Sequence, residues 1–444
     1  MTHEISPGKR PNDITVFGCT GNAGRAVAYH VIKSATLDTA SQSLRVGLAG
    51  RNQQKVQDVL KGILEELVLT NLEEAGLEER ISIIVADASN EVSMLEMAKS
   101  SRVVVSCAGP FGRYGEATVK ACISGGAHYL DITGEVKWVT RMITKHNEAA
   151  STNGVTLCPF SGYDCVPAEL GMVLAASALK KTPGAEMKQI NLTFKNKGGG
   201  FPKGTLETIL DEFDGKSVVL GKEDVRFYPA EYRRTAKGAL GLGVLKPTWS
   251  DLLGVYTAPN IMTTVNVPVL SRAASALGYS SDLTIKDRSV VGKGSSTIWN
   301  GFGLFPALVF TFALIVGAIM MKVPFFRSWL RKKLQTYNFH GHAKGMVTVN
   351  AEAVSSNGKR ATAELIVPGD AGIYATGLFA AAVANSLHQA TIEGASPPLA
   401  GFHTPVVALN SCRSNLLVDN LRRLGAEVTV QDDLPSKADK GKSN

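Results

Sequence analysis

Asp13-Ile-Thr-Val-Phe17 is a short apolar run that passes directly into Gly18-Cys-Thr-Gly21-Asn-Ala-Gly24, and a helical pattern follows. This junction constrains the fold more than any other stretch of the chain. Glycines at three-residue spacing between strand and helix are what a doubly wound α/β fold requires at its first crossover. Gly18 allows the tight turn, Gly21 lets backbone approach a phosphate, and Gly24 lets the helix pack closely on the strand. Together with Thr20, Asn22 and Ala23 they place backbone N–H groups at a helix start, where the dipole favours an anion. A nucleotide-cofactor enzyme is the leading reading.

Leu44-Arg-Val-Gly-Leu-Ala-Gly50 reads as the second strand and ends at Arg51-Asn52. An NAD site places an acid here for the ribose hydroxyls, whereas an arginine suits the 2′-phosphate of NADP. A guanidinium meets phosphate with two parallel hydrogen bonds. The other reading of Arg51 is a solvated residue opening a helix. The gap from Gly24 to Arg51 exceeds the usual spacing of about 20 residues, and an insertion over 34–43 accounts for it.

Alternation continues through a helical stretch at 53–69 and a buried-strand run at 81–86 that ends at Asp87. Asp87 is placed to meet an adenine or to cap the strand end. A fourth strand at 102–110 leads into a loop at 111–115. Ligands sit at the carboxyl ends of parallel strands, so Cys107, Ala108, Gly109 and this loop are expected to face the cofactor. A helix at 118–125, strand at 128–133, helix at 136–150 and strand at 154–160 complete two mononucleotide halves. The fold expected is α/β: a Rossmann doubly wound parallel sheet over 1–170, then a second α+β domain.

Five of these motifs, in register, resemble the saccharopine-dehydrogenase-like oxidoreductases. They are the glycine loop, Leu48-Ala-Gly-Arg-Asn52, Cys107-Ala-Gly-Pro-Phe111, Tyr129-Leu-Asp-Ile-Thr-Gly-Glu135 and Gly162-Tyr-Asp-Cys-Val-Pro-Ala-Glu-Leu-Gly171. The likeness continues at Gly369-Asp-Ala-Gly372, Tyr374-Ala-Thr376 and Gly401-Phe-His-Thr-Pro405. That family includes trans-acting enoyl reductases of lipid biosynthesis. The resemblance implies NADP(H) as cofactor and points to lipid droplets. Family members usually show Gly-Gly-Val before the Thr-Pro, where this chain has Ala400-Gly-Phe-His403, so His403 is expected to alter the substrate pocket.

The second domain is expected over 186–400, with alternating strand runs at 189–194, 346–350 and 363–367 and helices at 204–214 and 377–393. It reads as a mixed or antiparallel sheet serving substrate binding and homodimerisation. A C-terminal segment over 401–434 is expected to pack beside the first domain, and the Lys- and Ser-rich tail at 435–444 to be disordered.

Residues 303–321 are apolar all round, and no charge occurs between Lys293 and Lys322. A helix there extends about 27 Å, close to the ~30 Å hydrocarbon core. Lys322, Arg327, Arg331, Lys332 and Lys333 follow, interleaved with Phe325, Phe326 and Trp329, the flank of a membrane-seeking segment. A complete span would put the two halves of one domain on opposite sides of a membrane. The expectation is shallow insertion through 303–333, as a helical hairpin turned at Gly317 or Pro324. The surface would be a lipid droplet or the cytosolic face of an organelle, mitochondria included. The alternative is a buried helix at a dimer interface.

Six cysteines (Cys19, Cys107, Cys122, Cys158, Cys165 and Cys412) form no C-x-x-C pair, so neither a metal site nor a disulfide frame is expected. They read as reduced thiols. Met1–Pro11 show no apolar signal core and no amphipathic transit pattern. A net charge of +8 on 444 residues, without basic-aromatic patterning, argues against nucleic acid.

For proton transfer the candidates are strand-end residues: Asp131, Tyr163 and Tyr114, with Glu135 and Asp164 beside them. Each has a structural alternative: Asp131 as an acceptor ordering its loop, Glu135 as a helix-start carboxylate, Tyr163 as packing. His340 and His342 read as exposed. The substrate class expected is a small molecule or lipid, with an activated acyl double bond as leading choice. An amino-acid or imine dehydrogenase is the alternative enzyme, needing cationic clamps such as Arg113, Lys203, Arg233 or Arg234. A catalytically silent lipid-droplet nucleotide-binding protein is the alternative of another class.

Overall fold

The computed structural model describes residues 10–37, 44–69, 76–200, 202–214, 245–291, 303–337, 343–393, 398–409 and 414–434, with Leu72, Phe227, Gly301, Phe339 and Gly341 as isolated positions. Arg233, Arg234, His340, His342, Cys412, the 435–444 tail and most of the 34–43 insertion lie outside them.

In chain order the elements begin β1 (Asn12–Phe17), α1 (Asn22–Leu37), β2 (Val46–Gly50), α2 (Gln53–Glu66), β3 (Ile81–Val85) and α3 (Glu91–Lys99). Next come β4 (Ser101–Ser106), α4 (Phe111–Gly125), β5 (His128–Asp131), α5 (Val136–Thr152) and β6 (Thr156–Cys158). Then follow α6 (Val166–Leu179), β7 (Met187–Lys197), α7 (Lys203–Phe213), β8 (Thr248–Ser250), β9 (Val255–Pro259), α8 (Thr263–Ala276) and β10 (Thr284–Val290). Two consecutive helices, α9 (Leu304–Met320) and α10 (Pro324–Thr336), precede β11 (Met346–Ser355), β12 (Arg360–Pro368) and a π-helical turn at Ala371–Ala375. The chain closes with α11 (Thr376–Glu393), β13 (Gly401–Phe402), α12 (Pro405–Ala408), α13 (Ser414–Arg423) and β14 (Glu427–Leu434).

These elements form two units. The first comprises Met1–Thr133, Lys145–Gly162 and Thr376–Leu424; the second comprises Gly134–Thr144, Tyr163–Ala375 and Gly425–Asn444. The two units interleave along the chain, whereas the sequence reading runs continuously as 1–170, 186–400 and 401–434. The helix expected in the second domain at 377–393 is α11, and it packs on α1 of the first unit. A Cβ on Gly377 would fall 2.6 Å from the Ala26 carbonyl carbon, and Asn385 Nδ2 donates to Ser34 Oγ at 2.8 Å. The α11 helix is buried nearly all round, which is why its sequence shows no amphipathic stripe to assign it to a layer. In the opposite direction, β14 leaves the first unit and pairs antiparallel with β12.

The first unit holds a seven-stranded parallel sheet in the order β13-β6-β5-β4-β1-β2-β3. Every residue of β1 and β2 is buried, as a parallel sheet covered on both faces requires. At the amino edge, Asp13 accepts from Arg45 Nη2 at 3.0 Å and Arg102 Nε at 3.2 Å, so the ion pairs stand away from the carboxyl edge. The expected 111–115 loop is helical, since α4 starts at Phe111. Gly112 and Gly115 lower intrinsic helix propensity, but burial of Phe111, Gly115 and Thr118 overrides it.

The second unit holds a mixed sheet in the order β14-β12-β11-β7-β10-β9-β8, in which β7 and β10 run parallel. Its apolar face is covered by α6, whose residues are almost all buried; a Cβ on Gly171 would stand 2.8 Å from Ala351 Cβ.

Candidate functional site

The glycine loop lies at the carboxyl end of β1. Gly18 has φ +81°, and a Cβ there would meet Ala108 N at 2.9 Å. A Cβ on Gly24 would meet Gly18 O at 2.2 Å, so α1 starts against the loop's own backbone. Gly21 differs. Its Cβ would touch nothing nearer than Gly18 O at 3.6 Å, leaving open the side a ligand would approach. Gly18 N and Cys19 N donate to Ala49 O, and Arg25 N donates to Gly21 O, which fixes the loop between β2 and the first turn of α1. Thr20 and Gly21 are exposed, Asn22 and Ala23 half-buried. No acid occupies the first turn of α1 to compete with an anion.

The carboxyl ends of the neighbouring strands complete this edge. Arg51 is exposed beyond β2. Asn52 is the N-cap of α2, its Oδ1 accepting from Lys55 N at 2.9 Å, so its side chain already has a structural partner. Asp87, beyond β3, accepts from Ser89 N at 2.9 Å and Ser89 Oγ at 2.8 Å. These bonds hold its carboxyl below the ordinary range, with a smaller contribution from the Arg51 charge nearby. Beyond β4, Cys107 N donates to Phe17 O, and Cys107 and Ala108 are half-buried while Gly109 is exposed. Burial pushes the Cys107 thiol upward and the Cys19 thiol to about 12, so both stay neutral. The donor set fits a pyrophosphate on the loop and a 2′-phosphate on Arg51.

Asp131 ends β5 fully buried. Tyr129 OH donates to its Oδ2 at 2.6 Å, and Thr133 N and Phe160 N donate to its Oδ1 at 2.9 and 3.1 Å. Burial raises the Tyr129 phenol well above its ordinary value, which keeps it a donor. This arrangement gives Asp131 a loop-ordering task. Tyr114 is exposed on the first turn of α4, and Glu135 immediately precedes α5, its carbonyl accepting from Val139 N. His403 binds Ala400 O through Nε2 at 3.0 Å.

Tyr163 belongs to the second unit, where its hydroxyl donates to Asn196 Oδ1 at 2.9 Å. Next to it, Asp164 is half-buried. The carboxyl of Asp287 on β10 accepts from Asn260 Nδ2 at 2.8 Å and Asn266 Nδ2 at 3.0 Å, and Cys165 Sγ reaches Asn266 Oδ1 at 3.6 Å. Burial, then repulsion from Asp287, pushes Asp164 up to about 6; burial also raises Asp287 to about 6 against its amide bonds. Sequence reasoning missed Asp287, Asn260 and Asn266. They lie in no motif, and only the pairing of β7, β9 and β10 assembles them.

Also in the second unit, α9 and α10 meet at a 104° bend after Met321, with Pro324 opening the second helix. Of the two expected turning points, Pro324 is at the break and Gly317 is inside α9. Among the described residues no single helix is long and apolar enough to cross a membrane; α9 and α10 reach that length and composition only together, as a bent pair. The apolar side chains of α9 are open: Phe305 is 72 % exposed, Phe312 68 % and Ile319 57 %. Two of the flanking cations are not free for headgroups. Arg327 bonds Asp214, and Arg331 bonds Asp211 and Asp214, fastening α10 to α7 over a buried cluster of Leu210, Met321 and Leu334.

A glycine loop at the carboxyl edge of a doubly wound parallel sheet, with an arginine after β2, defines a dinucleotide-binding protein. Residues 14–158 match the saccharopine dehydrogenase NADP binding domain, so this part of the chain is an NADP(H)-binding domain of that type. It is 33 % identical over 240 residues to a rat saccharopine dehydrogenase-like oxidoreductase, covering 51 % of this chain and 55 % of that protein. A Caenorhabditis elegans lipid droplet localized protein is 31 % identical over 46 % of each chain. A Mycobacterium tuberculosis protein named as a trans-acting enoyl reductase is 27 % identical over 65 % of this chain and 67 % of its own. The alignment thus spans about half the length of the rat relative.

Proposed function

We propose that this chain is an NADP(H)-dependent oxidoreductase that reduces an enoyl group of an acyl chain at a lipid surface, on lipid droplets or the cytosolic face of an organelle membrane. The observation that carries the lipid half is the uncharged, outward-facing side of α9, about 25 Å long, beside an anchored partner helix. Exposed apolar surface of this extent marks an interaction site, and lack of charge along the whole helix suits acyl chains. The names of the worm and mycobacterial relatives support the same reading. For the redox half, the support is the open side of Gly21 together with Arg51.

Within this reading the glycine loop and α1 start hold the diphosphate, Arg51 the 2′-phosphate, and the Ala108–Gly109 backbone borders the reactive ring. Bound NADPH supplies the reducing equivalents; the protein's own residues orient it and exclude water. The test is flotation with phospholipid-coated triolein emulsions, comparing the full chain with Phe305→Ser/Phe312→Ser/Ile319→Ser, alongside NADPH oxidation with a long-chain trans-2-enoyl thioester. Flotation lost in the triple variant, and oxidation by the full chain, are expected. Dimerisation without flotation would assign the α9 face to a second copy, and absence of oxidation would remove the enoyl assignment.

A further inference from the structure

We propose that α10 lies at headgroup level on an anionic phospholipid surface, with Lys322, Lys332 and Lys333 against lipid phosphates and Phe325 and Trp329 in the interface. This rests on the lipid-surface reading above and narrows its partner to anionic lipid. From Gly303 to Tyr337 the chain holds no Asp or Glu, but it carries the cations Lys322, Arg327, Arg331, Lys332 and Lys333. Asp214 of the α7 end neutralises Arg327, and Asp211 and Asp214 neutralise Arg331. The three lysines are exposed, and among the described residues no acid pairs with them.

The two sets of side chains occupy opposite sides of α10. Arg327, Arg331 and Leu334 recur at i, i+4 and i+7 toward α7, over the buried cluster of Leu210, Met321 and Leu334. Phe325, Trp329, Lys332, Lys333 and Thr336 recur at i, i+4, i+7, i+8 and i+11 on the outer side, and all are exposed. Phe325 is 81 % exposed and Trp329 48 %. A helix face turned to water mixes acids with bases. A face of bases and large aromatics suits the layer where rings meet acyl chains and cations meet phosphates.

This outer side is held in place by the inner one. Phe326 stacks on Trp329 with ring centroids 5.6 Å apart and planes 28° apart, and Phe326 itself packs against the Leu210 cluster. Arg327 Nη1 donates to Met321 O at 2.8 Å, which ties off the end of α9 at the 104° bend. Ile319, Met320, Val323 and Phe325 carry exposed apolar side chains through that bend, so the apolar side of α9 continues into the aromatic and basic side of α10. Lysine suits the position. Its apolar stem lies along the interface while the ammonium reaches phosphate, as a point charge that needs no single headgroup geometry. Lysines near an anionic surface strengthen binding about fivefold each, on the order of 100-fold for these together, and salt screens the effect.

The test is flotation of the full chain with neutral phosphatidylcholine vesicles and with equimolar phosphatidylcholine–phosphatidylserine vesicles. We expect affinity for the mixed vesicles to be on the order of 100-fold higher. Lys322→Gln/Lys332→Gln/Lys333→Gln, checked for unchanged melting, and high salt should each bring it close to the neutral value. Tryptophan emission should shift to the blue on the mixed vesicles, and Trp329→Phe should abolish the shift. Equal wild-type affinity for both vesicles, a triple variant that keeps the preference, or a blue shift that survives Trp329→Phe overturns the proposal and leaves a lipid surface for α9. A chain that floats with neither vesicle nor with a triolein emulsion overturns the lipid-surface reading itself and gives the face to a protein partner.

Discussion

Arg331 grips Asp214 from one helix to the next, its Nη2 and Nε lying 2.8 and 3.2 Å from the same carboxylate oxygen. Its Nη2 also reaches Asp211 Oδ1 at 2.8 Å. The basic run after the apolar helix therefore works partly as a clasp. It sets α10 on α7 and leaves α9 turned outward.

Replacing Arg331 by Ala should loosen this clasp, at a cost of about 1 kcal/mol for a partly exposed network. Faster amide exchange across α10, with exchange in β11 and β12 unchanged, is the expected result. Arg331, against the opposing effect of burial and with help from Arg327, holds the Asp214 carboxyl below its ordinary range. A depressed acid contributes stability above its unfolded value of about 4 and loses it as pH falls through the folded value. Protection of α10 should accordingly decline on acidification below about pH 4 in wild type and much less in Arg331→Ala.

The glycine loop separates packing from ligand approach. Gly24→Ala puts a methyl 2.2 Å from Gly18 O, a backbone atom that cannot swing aside, and should cost about 1–3 kcal/mol or more. Gly21→Ala meets only an ordinary 3.6 Å neighbour but fills the open side of the loop. Calorimetry should show a lowered melting temperature for the first variant and an unchanged one for the second. Fluorescence titration should show NADPH affinity lost in both. Equal melting and equal affinity in the Gly21 variant would remove the loop from the binding site.

Asp131 tests structure against catalysis. Its replacement by Ala leaves the Tyr129 hydroxyl and two buried amides without their acceptor, at about 1–3 kcal/mol per orphaned donor. At the lower limit of about 3 kcal/mol for the three donors melting should fall by roughly 6–12 °C, and further above it, with Asp131→Asn falling less because Oδ1 is retained. Normal melting with abolished turnover would restore Asp131 as an acid.

How much of this the chain discloses in its sequence depends on whether the signal is local. Gly18 to Gly24, the strand ends at Arg51 and Asp87, and most strand runs are legible because turn chemistry and apolar periodicity act over a few residues. The exchange of α11 and β14 between units is not, since a helix buried on every side carries no stripe naming its partner. Nor are the Arg331–Asp214 and Asn266–Asp287 pairs. Their members stand 117 and 21 residues apart, and only the assembled sheet and helices bring them together. Asn52 is an instructive intermediate case: the position adjoining the phosphate-facing edge was legible, but its N-cap bond to Lys55 N is a competing local use of the same side chain.

The proposed 2′-phosphate ligand is Arg51, and cofactor preference tests it. Arg51 is exposed at the carboxyl end of β2, and no acid follows β2 at that position. Charge-assisted hydrogen bonds to a phosphate are worth about 1.5–3 kcal/mol, equivalent to roughly 10- to 150-fold in affinity. Arg51→Ala should weaken NADPH by that factor and leave NADH nearly unchanged, because the diphosphate grip of the glycine loop is common to both. Arg51→Asp should go further and reverse the preference, since its carboxylate repels the 2′-phosphate yet accepts from the ribose hydroxyls of NADH. Asp87 supplies the internal control. Its carboxyl is already engaged by Ser89, so Asp87→Asn should relax its turn without altering the NADPH-to-NADH ratio. Nicotinamide fluorescence titrations of the three variants with both reduced cofactors measure this directly. An unchanged ratio in Arg51→Asp would place the 2′-phosphate elsewhere on the sheet edge.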